Sequence, residues 1–400
     1  MADRQRVLDI TDTDVLADPY PHYARLRRDD PVHRSANGYW FVGRHRDVQL
    51  VTADHRFGKR CVTDGWSGAR GQYAVVDMLA QSIFPAGPPL YSRMRALLSR
   101  AFSSRSFRRT EPCVQKLARE FTEEAVAHGR LDLIRDIALP LPLFVIGSLL
   151  GVPESDFDQL RTWTAALTTA AGSHEDEVLA SASRARDEFH HYFEGLISDR
   201  RRLPRLDLLT AMIRVRDARP RSGHDSLVTM AAALLLAGHE NSANQIGNTV
   251  LALLDHPGQL RRLRAHPSLV PAAVEEALRF DGPLQLGLRV ALEDGDIRGA
   301  RVAQGDLVLM GWGSANRDPA LLERPDEFDI TRRPGPTYLG VNQGIDFIIN
   351  AQLGRAETRA VLEALLRTTT GIQLSVSPAD LPHRPTPFFR GLERLPLTVW

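Results

Sequence analysis

From Pro88 onward the chain runs through one helical pattern after another: 92–104, 111–128, 141–150, 155–171, 176–201, 204–218 and about 225–255. No other feature constrains the fold as strongly. Apolar residues recurring three and four positions apart put one stripe along each helix, and each stripe has to be buried. A long series of such helices has to be buried mainly against itself. The longest pattern contains the run MAAALLLAG, beginning at Met230. It is apolar on every side, which marks the middle of a buried helix, and it is too short to span a bilayer.

The flanking regions are mixed. Near the start, ADPYPHYARLRRDDPVHR predicts a turn and then a helix with Tyr23 and Leu26 on one face, and YWFVG with DVQLVTAD predicts a strand followed by a short helix. Later, PAAVEEALRF predicts a helix, and LRVALEDGDIRGARVAQGDLVLMGWG predicts short strands joined by Gly-Asp turns. The stretch 352–368 is helical again, and short strands close the chain. No repeat, low-complexity tract or Gly/Ser linker divides it, so residues 1–400 are expected to form one large domain, mainly α with small β-sheets.

Composition narrows the function classes. Hydrophobic residues make up 43% and charged residues 25%, which suits a sizeable buried core. Fifty basic and 49 acidic residues leave a formal charge of +1, which argues against a nucleic-acid or anionic-membrane partner. Cys61 and Cys113 are the two cysteines, too few for a disulfide scaffold, and a reducing cytoplasm is expected. The N-terminal MADRQRVLDITDTD lacks the apolar core of a signal peptide.

Three motifs follow one another in the second half. Glu276 and Arg279 lie three apart and share a helix face. ANRDP comes next at 315–319, then PDEFDITR, ending at Arg332. A lone Glu-x-x-Arg is most often a surface ion pair of little worth, but the ordered set is far more specific. Residues 338–354, YLGVNQGIDFIINAQLG, have the frame of a Phe-Gly-x-Gly-x-His-x-Cys-x-Gly loop. By these motifs, and by AGHENSANQIGN at 237–248, the whole chain resembles the cytochrome P-450 superfamily. The resemblance implies that family's fold. It also implies a structural network of Glu276, Arg279 and Arg332.

Departures from the family pattern are concentrated at the former haem site. Ile348 stands at the cysteine position and has no lone pair for iron, although thiolate ligation is what directs this cofactor to oxygen chemistry. Asp346 replaces a propionate-binding histidine, and a carboxylate there would repel the propionates. Tyr91 replaces a second histidine, while Arg95 and Arg289 keep two propionate-binding positions. Asn342 and Asn350 replace loop glycines, and asparagine is among the few residues that tolerate the left-handed region. In the long helix Ala237, Gly238 and Glu240 match, but Asn241 replaces a proton-relaying threonine, and an amide does not relay as a hydroxyl does. Cys61 and Cys113 read as ordinary thiols, neither placed to replace the ligand.

From these positions the expectation is a protein without haem and without a metal. Asp346 is expected to pair with Arg95 or Arg289 in place of the propionates. Three roles fit that expectation. The first is an auxiliary partner of a glycosyltransferase, as in haem-less relatives from actinomycete antibiotic pathways. The second is a haem-independent enzyme acting on a hydrophobic small molecule, with His239, Glu240, Asn241 or Asp346 as acid-base candidates for a cyclisation, dehydration or isomerisation. The third is a binding protein without turnover. A polar stretch at 239–241 is also ordinary for the family. Loops 61–84 and 164–178 are expected to contact ligand, with Trp66, Tyr73, Trp163 and Phe388 lining a pocket or simply filling the core.

Overall fold

The computed structural model describes residues 13–58, 72–80, 104–171, 175–217, 227–333, 339, 352–384 and 386–400. Helices dominate. The largest are Ser104–Val126, Pro140–Leu150, Phe157–Ala171, Asp176–Arg202, Leu208–Asp217, Leu227–Asp255, Val270–Phe280 and Arg355–Thr368. Each carries a helical pattern visible in the sequence, with ends displaced by a few residues. The expected helix over 92–104 falls almost wholly outside the described residues.

The long helix Leu227–Asp255 lies at the centre. Ala231 to Leu235 are each no more than 3% exposed, because neighbouring helices cover this segment on all sides. Unusually for a core helix, Asn241, Ser242, Asn244, Gln245, Asn248 and Thr249 are buried as well. Buried polar groups need partners; Asn248 ties the helix to its surroundings, and Thr249 is satisfied within the helix. Asn248 Nδ2 donates to the carbonyls of Asp281 at 2.9 Å and Arg390 at 3.0 Å, while Thr249 Oγ1 donates to Gln245 O at 2.6 Å. A π-helical turn at Ile134–Ala138 presses against the same helix; a Cβ on Gly247 would lie 2.6 Å from Ile134 Cδ1.

Among the described residues the strands form three sheets. Val32–Arg34 (β1), Trp40–Val42 (β2), Phe57–Gly58 (β3), Leu286–Ala291 (β5) and Leu307–Gly311 (β8) form the largest, in the order β1-β2-β8-β5-β3. Only β2 and β8 run parallel in it, with Phe41 opposite Leu309. Arg130–Asp132 (β4), Ile372–Leu374 (β9) and Pro396–Val399 (β10) make a second sheet, and Gly295–Ile297 (β6) pairs with Ala300–Val302 (β7). Of the two expected Gly-Asp turns, Gly305–Asp306 is one, with Gly305 at φ +91°. Gly295–Asp296 instead lies in β6, and that hairpin turns at Arg298 and Gly299, both at positive φ. This is the two-residue turn whose twist matches its strands.

Several local expectations need correction. Residues 164–171 are not a ligand loop but the end of helix Phe157–Ala171, and 74–80 are helical. Trp163 is a core residue: its ring meets Phe189 and Tyr192, and its indole N–H donates to Glu188 at 2.9 Å. Cys113 sits inside helix Ser104–Val126, not at its start. Helix Pro257–Ala265 had no counterpart in the sequence reading; its first residue is proline, which suits an N-terminal position where no amide hydrogen is needed.

Candidate functional site

Residues 237–248 of the long helix meet the C-terminal segment 383–391 and the chain leading into β5. Gln285 N donates to Phe388 O at 2.9 Å, and Arg390 N to Pro283 O at 2.8 Å. Gly391 packs so tightly on the helix that a Cβ there would lie 2.0 Å from Asn244 Oδ1. Only glycine allows that approach.

The acid-base candidates of the long helix are brought to this junction with distinct surroundings. Glu240 is about a quarter exposed and accepts a hydrogen bond from Arg384 Nη1 at 3.2 Å. His239 has no partner at Nδ1. Burial, then the Arg384 charge, lowers its pKa to about 4, and a hydrogen bond to the backbone of Leu139 acts the other way. The ring is therefore neutral near pH 7 and no cation. Asn241 and Ser242 are buried, and Ser242 Oγ faces Gly354, where a Cβ would lie 3.2 Å away.

Two residues here escaped the sequence reading. Arg384 gave no motif, because its partner is 144 positions away. Glu357 is fully buried and neither carboxylate oxygen has a hydrogen-bonded partner. Burial raises its pKa to about 8, with the nearby Ser242 hydroxyl acting the other way. A helical glutamate reads as solvent-facing in sequence; only packing puts it inside.

Of the haem-contact positions, Arg289 is described. It lies on β5, partly buried, with Nη1 donating to Leu288 O at 3.0 Å. Tyr91, Arg95, Asn342, Asp346, Ile348 and Asn350 lie outside the described residues, as do Cys61 and Trp66. The expected pairing of Asp346 with an arginine therefore lies outside the described residues.

Away from the junction, Glu276, Arg279 and Arg332 form a buried cluster. Arg279 binds Glu276 through two parallel bonds, Nε to Oε2 and Nη2 to Oε1, both 2.8 Å. Arg332 Nε and the amide of Asp329 also donate to Oε1, at 3.2 and 3.0 Å. The remaining arginine donors reach the carbonyls of Asn316, Glu323, Arg324, Pro325 and Glu327.

Comparison with known proteins places this geometry. The family profile described as Cytochrome P450 matches residues 173–333. Cytochrome P450 monooxygenase PikC of Streptomyces venezuelae is 37% identical over 393 residues, 96% of this chain and 92% of that protein. Vitamin D(3) 25-hydroxylase of Pseudonocardia autotrophica is 35% identical over 390 residues, 95% of this chain and 94% of that one. The crystal structure of CalO2 aligns with a TM-score of 0.92 at 34% identity, over 99% of each chain.

These similarities overturn two expectations. The role without monooxygenase activity, whether glycosyltransferase auxiliary or haem-independent enzyme, is contradicted by relatives named as a monooxygenase and a hydroxylase across nine tenths of the chain. The expectation of no cofactor falls with it. Its weakness is physical. Ile348 removes one bond to iron, whereas a macrocycle is also held by apolar burial and by cations at its propionates, and these do not depend on residue 348. Among the described residues, two features fit such a group: the partly exposed cation of Arg289 on β5 and the side-chain-free Gly238 on the long helix. No helix among the described residues is long and apolar enough to cross a membrane.

Proposed function

Because the chain belongs to the cytochrome P450 family, we propose that it is an oxidative tailoring protein of natural-product biosynthesis, holding haem and a hydrophobic small-molecule substrate beside the long helix. The observation that carries this reading is the 37% identity to a monooxygenase, sustained through 96% of the chain. Likeness over a short motif would support only the fold; likeness that runs through helices, sheets and the C-terminal segment alike supports a retained pocket. The cytoplasm is the compartment that goes with it, given two cysteines.

When bound, haem supplies the oxygen chemistry, and the protein supplies binding, orientation and electrostatics. Arg289 would hold a propionate by a charge-assisted bond. Gly238 leaves the helix surface bare where a side chain would otherwise stand. Glu240 is the candidate for proton handling, because it is a partly exposed carboxylate held by a single N–H of Arg384. His239 and Asn241 flank it, the first as a neutral ring and the second as an amide.

Two measurements test this reading. Protein produced with an ample supply of haem precursor should contain close to one haem per chain, and haem-free protein should take up hemin on titration. A chain that stays colourless in both experiments would overturn the proposal. The spectrum of the reduced, carbon monoxide-treated protein then identifies the axial ligand. Arg289→Ala should weaken hemin binding by about tenfold or more, the worth of one hydrogen bond to a charged group. An unchanged hemin affinity would remove Arg289 from the site.

A further inference from the structure

The loop 203–207 joins helix Asp176–Arg202 to helix Leu208–Asp217. It carries the two most exposed large apolar side chains among the described residues, Leu206 at 87% and Leu203 at 68%. Single leucines scattered on a surface need no explanation. These two stand three positions apart, with only Pro204 and Arg205 between them, and form one small apolar tip.

The tip is not a slack segment. Below it, the side chain of Arg200 is 4% exposed, with Nε donating to Asp207 at 2.5 Å and Nη2 to the carbonyl of Gly151 at 2.8 Å. Asp207 Oδ1 accepts from the amide of Thr210 at 2.8 Å, and Thr210 Oγ1 from the amide of Arg205 at 3.1 Å. Leu203 N donates to Asp199 O at 2.7 Å, closing the preceding helix. Pro204 fixes one more backbone angle. The fold thus holds both leucines out in water, where a slack loop would turn them inward.

Charge selects what covers them. Between Asp199 and Asp217, themselves exposed, stand five exposed arginines, at 201, 202, 205, 214 and 216, a local net charge of +3. Arg202 pairs with Asp199 and Arg201 with Asp217, but such exposed pairs are loosely held. The acidic turn Glu154–Asp156 lies back along the helix beside Tyr192, whose hydroxyl donates to Asp156 at 2.6 Å. That is about 12 Å from Arg200 along the helix axis, beyond the ~8 Å range of an exposed charge in salt. The whole-chain balance of +1, which argues against an anionic membrane, averages this excess away. A second copy of the chain is disfavoured, because a two-fold contact would set the positive tip against itself. A protein partner needs roughly 800 Å² on each side, far more than two leucines offer.

We propose that this tip is a membrane-surface anchor: Leu203 and Leu206 enter the headgroup layer of an anionic bilayer, and the surrounding arginines stay at its phosphates. Two apolar side chains and a small positive excess give weak, reversible attachment, not insertion. Attachment holds the protein at the surface into which apolar molecules partition. The inference does not rest on haem or on the proposed oxidation.

Cosedimentation of the full chain with lipid vesicles tests it. Vesicles of phosphatidylglycerol and phosphatidylcholine in equal parts should bind about fivefold or more tightly than phosphatidylcholine alone, the worth of one uncompensated arginine at such a surface. Added salt should erase that preference. Leu203→Ser with Leu206→Ser should lower binding to the anionic vesicles about tenfold or more. Arg205→Glu should remove most of the preference and leave binding to the neutral vesicles nearly unchanged. If the double serine variant does not fold, Leu206→Trp decides: an aromatic tip suited to the interface should bind at least as tightly as the parent. A parent that binds neither vesicle, equal binding to both, serines without effect, or a weaker Leu206→Trp would each overturn the proposal. So would a dimer in sedimentation velocity that the serines abolish, since the tip would then be an interface between copies.

Discussion

Glu276→Ala is expected to destabilise the protein by about 3–5 kcal/mol, the usual loss when one partner of a buried pair is removed. Glu276 is 2% exposed and accepts from Arg279, Arg332 and the amide of Asp329. Its removal leaves a guanidinium with no exposed surface and a second that is 15% exposed facing an empty space. The damage is not confined to one helix, because the same arginines bind five backbone carbonyls between Asn316 and Glu327. Chemical denaturation of parent and variant in the same haem state measures it. Glu276→Gln should fall between them, since the amide keeps acceptor geometry without charge. A variant as stable as the parent would show that the network does not hold this part of the fold.

Glu357→Gln should do the opposite, and only above mildly acidic pH. Burial holds the Glu357 pKa at about 8 in the folded protein, against an ordinary carboxylate value in the unfolded chain. Across the interval between those two values the folded state binds the extra proton, so stability falls as pH rises and levels off above about 8. Integrated over that interval, the penalty is on the order of 3–5 kcal/mol. Glutamine stays neutral throughout. The variant should match the parent near pH 5 and exceed it progressively toward pH 8. Parallel stability curves for the two proteins would show that Glu357 finds a partner or solvent in solution.

How far the sequence reached is clearest at individual residues. The helices were legible because a buried stripe leaves a period in the chain itself, and the order Glu-x-x-Arg, ANRDP, PDEFDITR was legible because its members stand at short spacings. The long helix could be placed at the centre from Met230–Gly238 alone, as an apolar run with no polar face has to be covered on all sides. Ile348, Asp346, Tyr91 and Asn241 were legible too, but they led too far: side chains at a few positions show which contacts are missing, not what the rest of a pocket still binds.

What the sequence determined by itself was the helical architecture, its family likeness and the identity of the residue at each site position. What only the tertiary structure decided was which charges meet. Glu240 and Arg384 are 144 residues apart, and Tyr20 and Asp281, which share a hydrogen bond of 2.5 Å, are 261 apart. Glu357 looks like any helical glutamate until Ser242 and its neighbours close over it. Periodicity records how a segment meets its own neighbours along the chain. Pairing, burial and the pKa values they set come from contacts between distant segments, and these exist only once the chain has closed around its long helix.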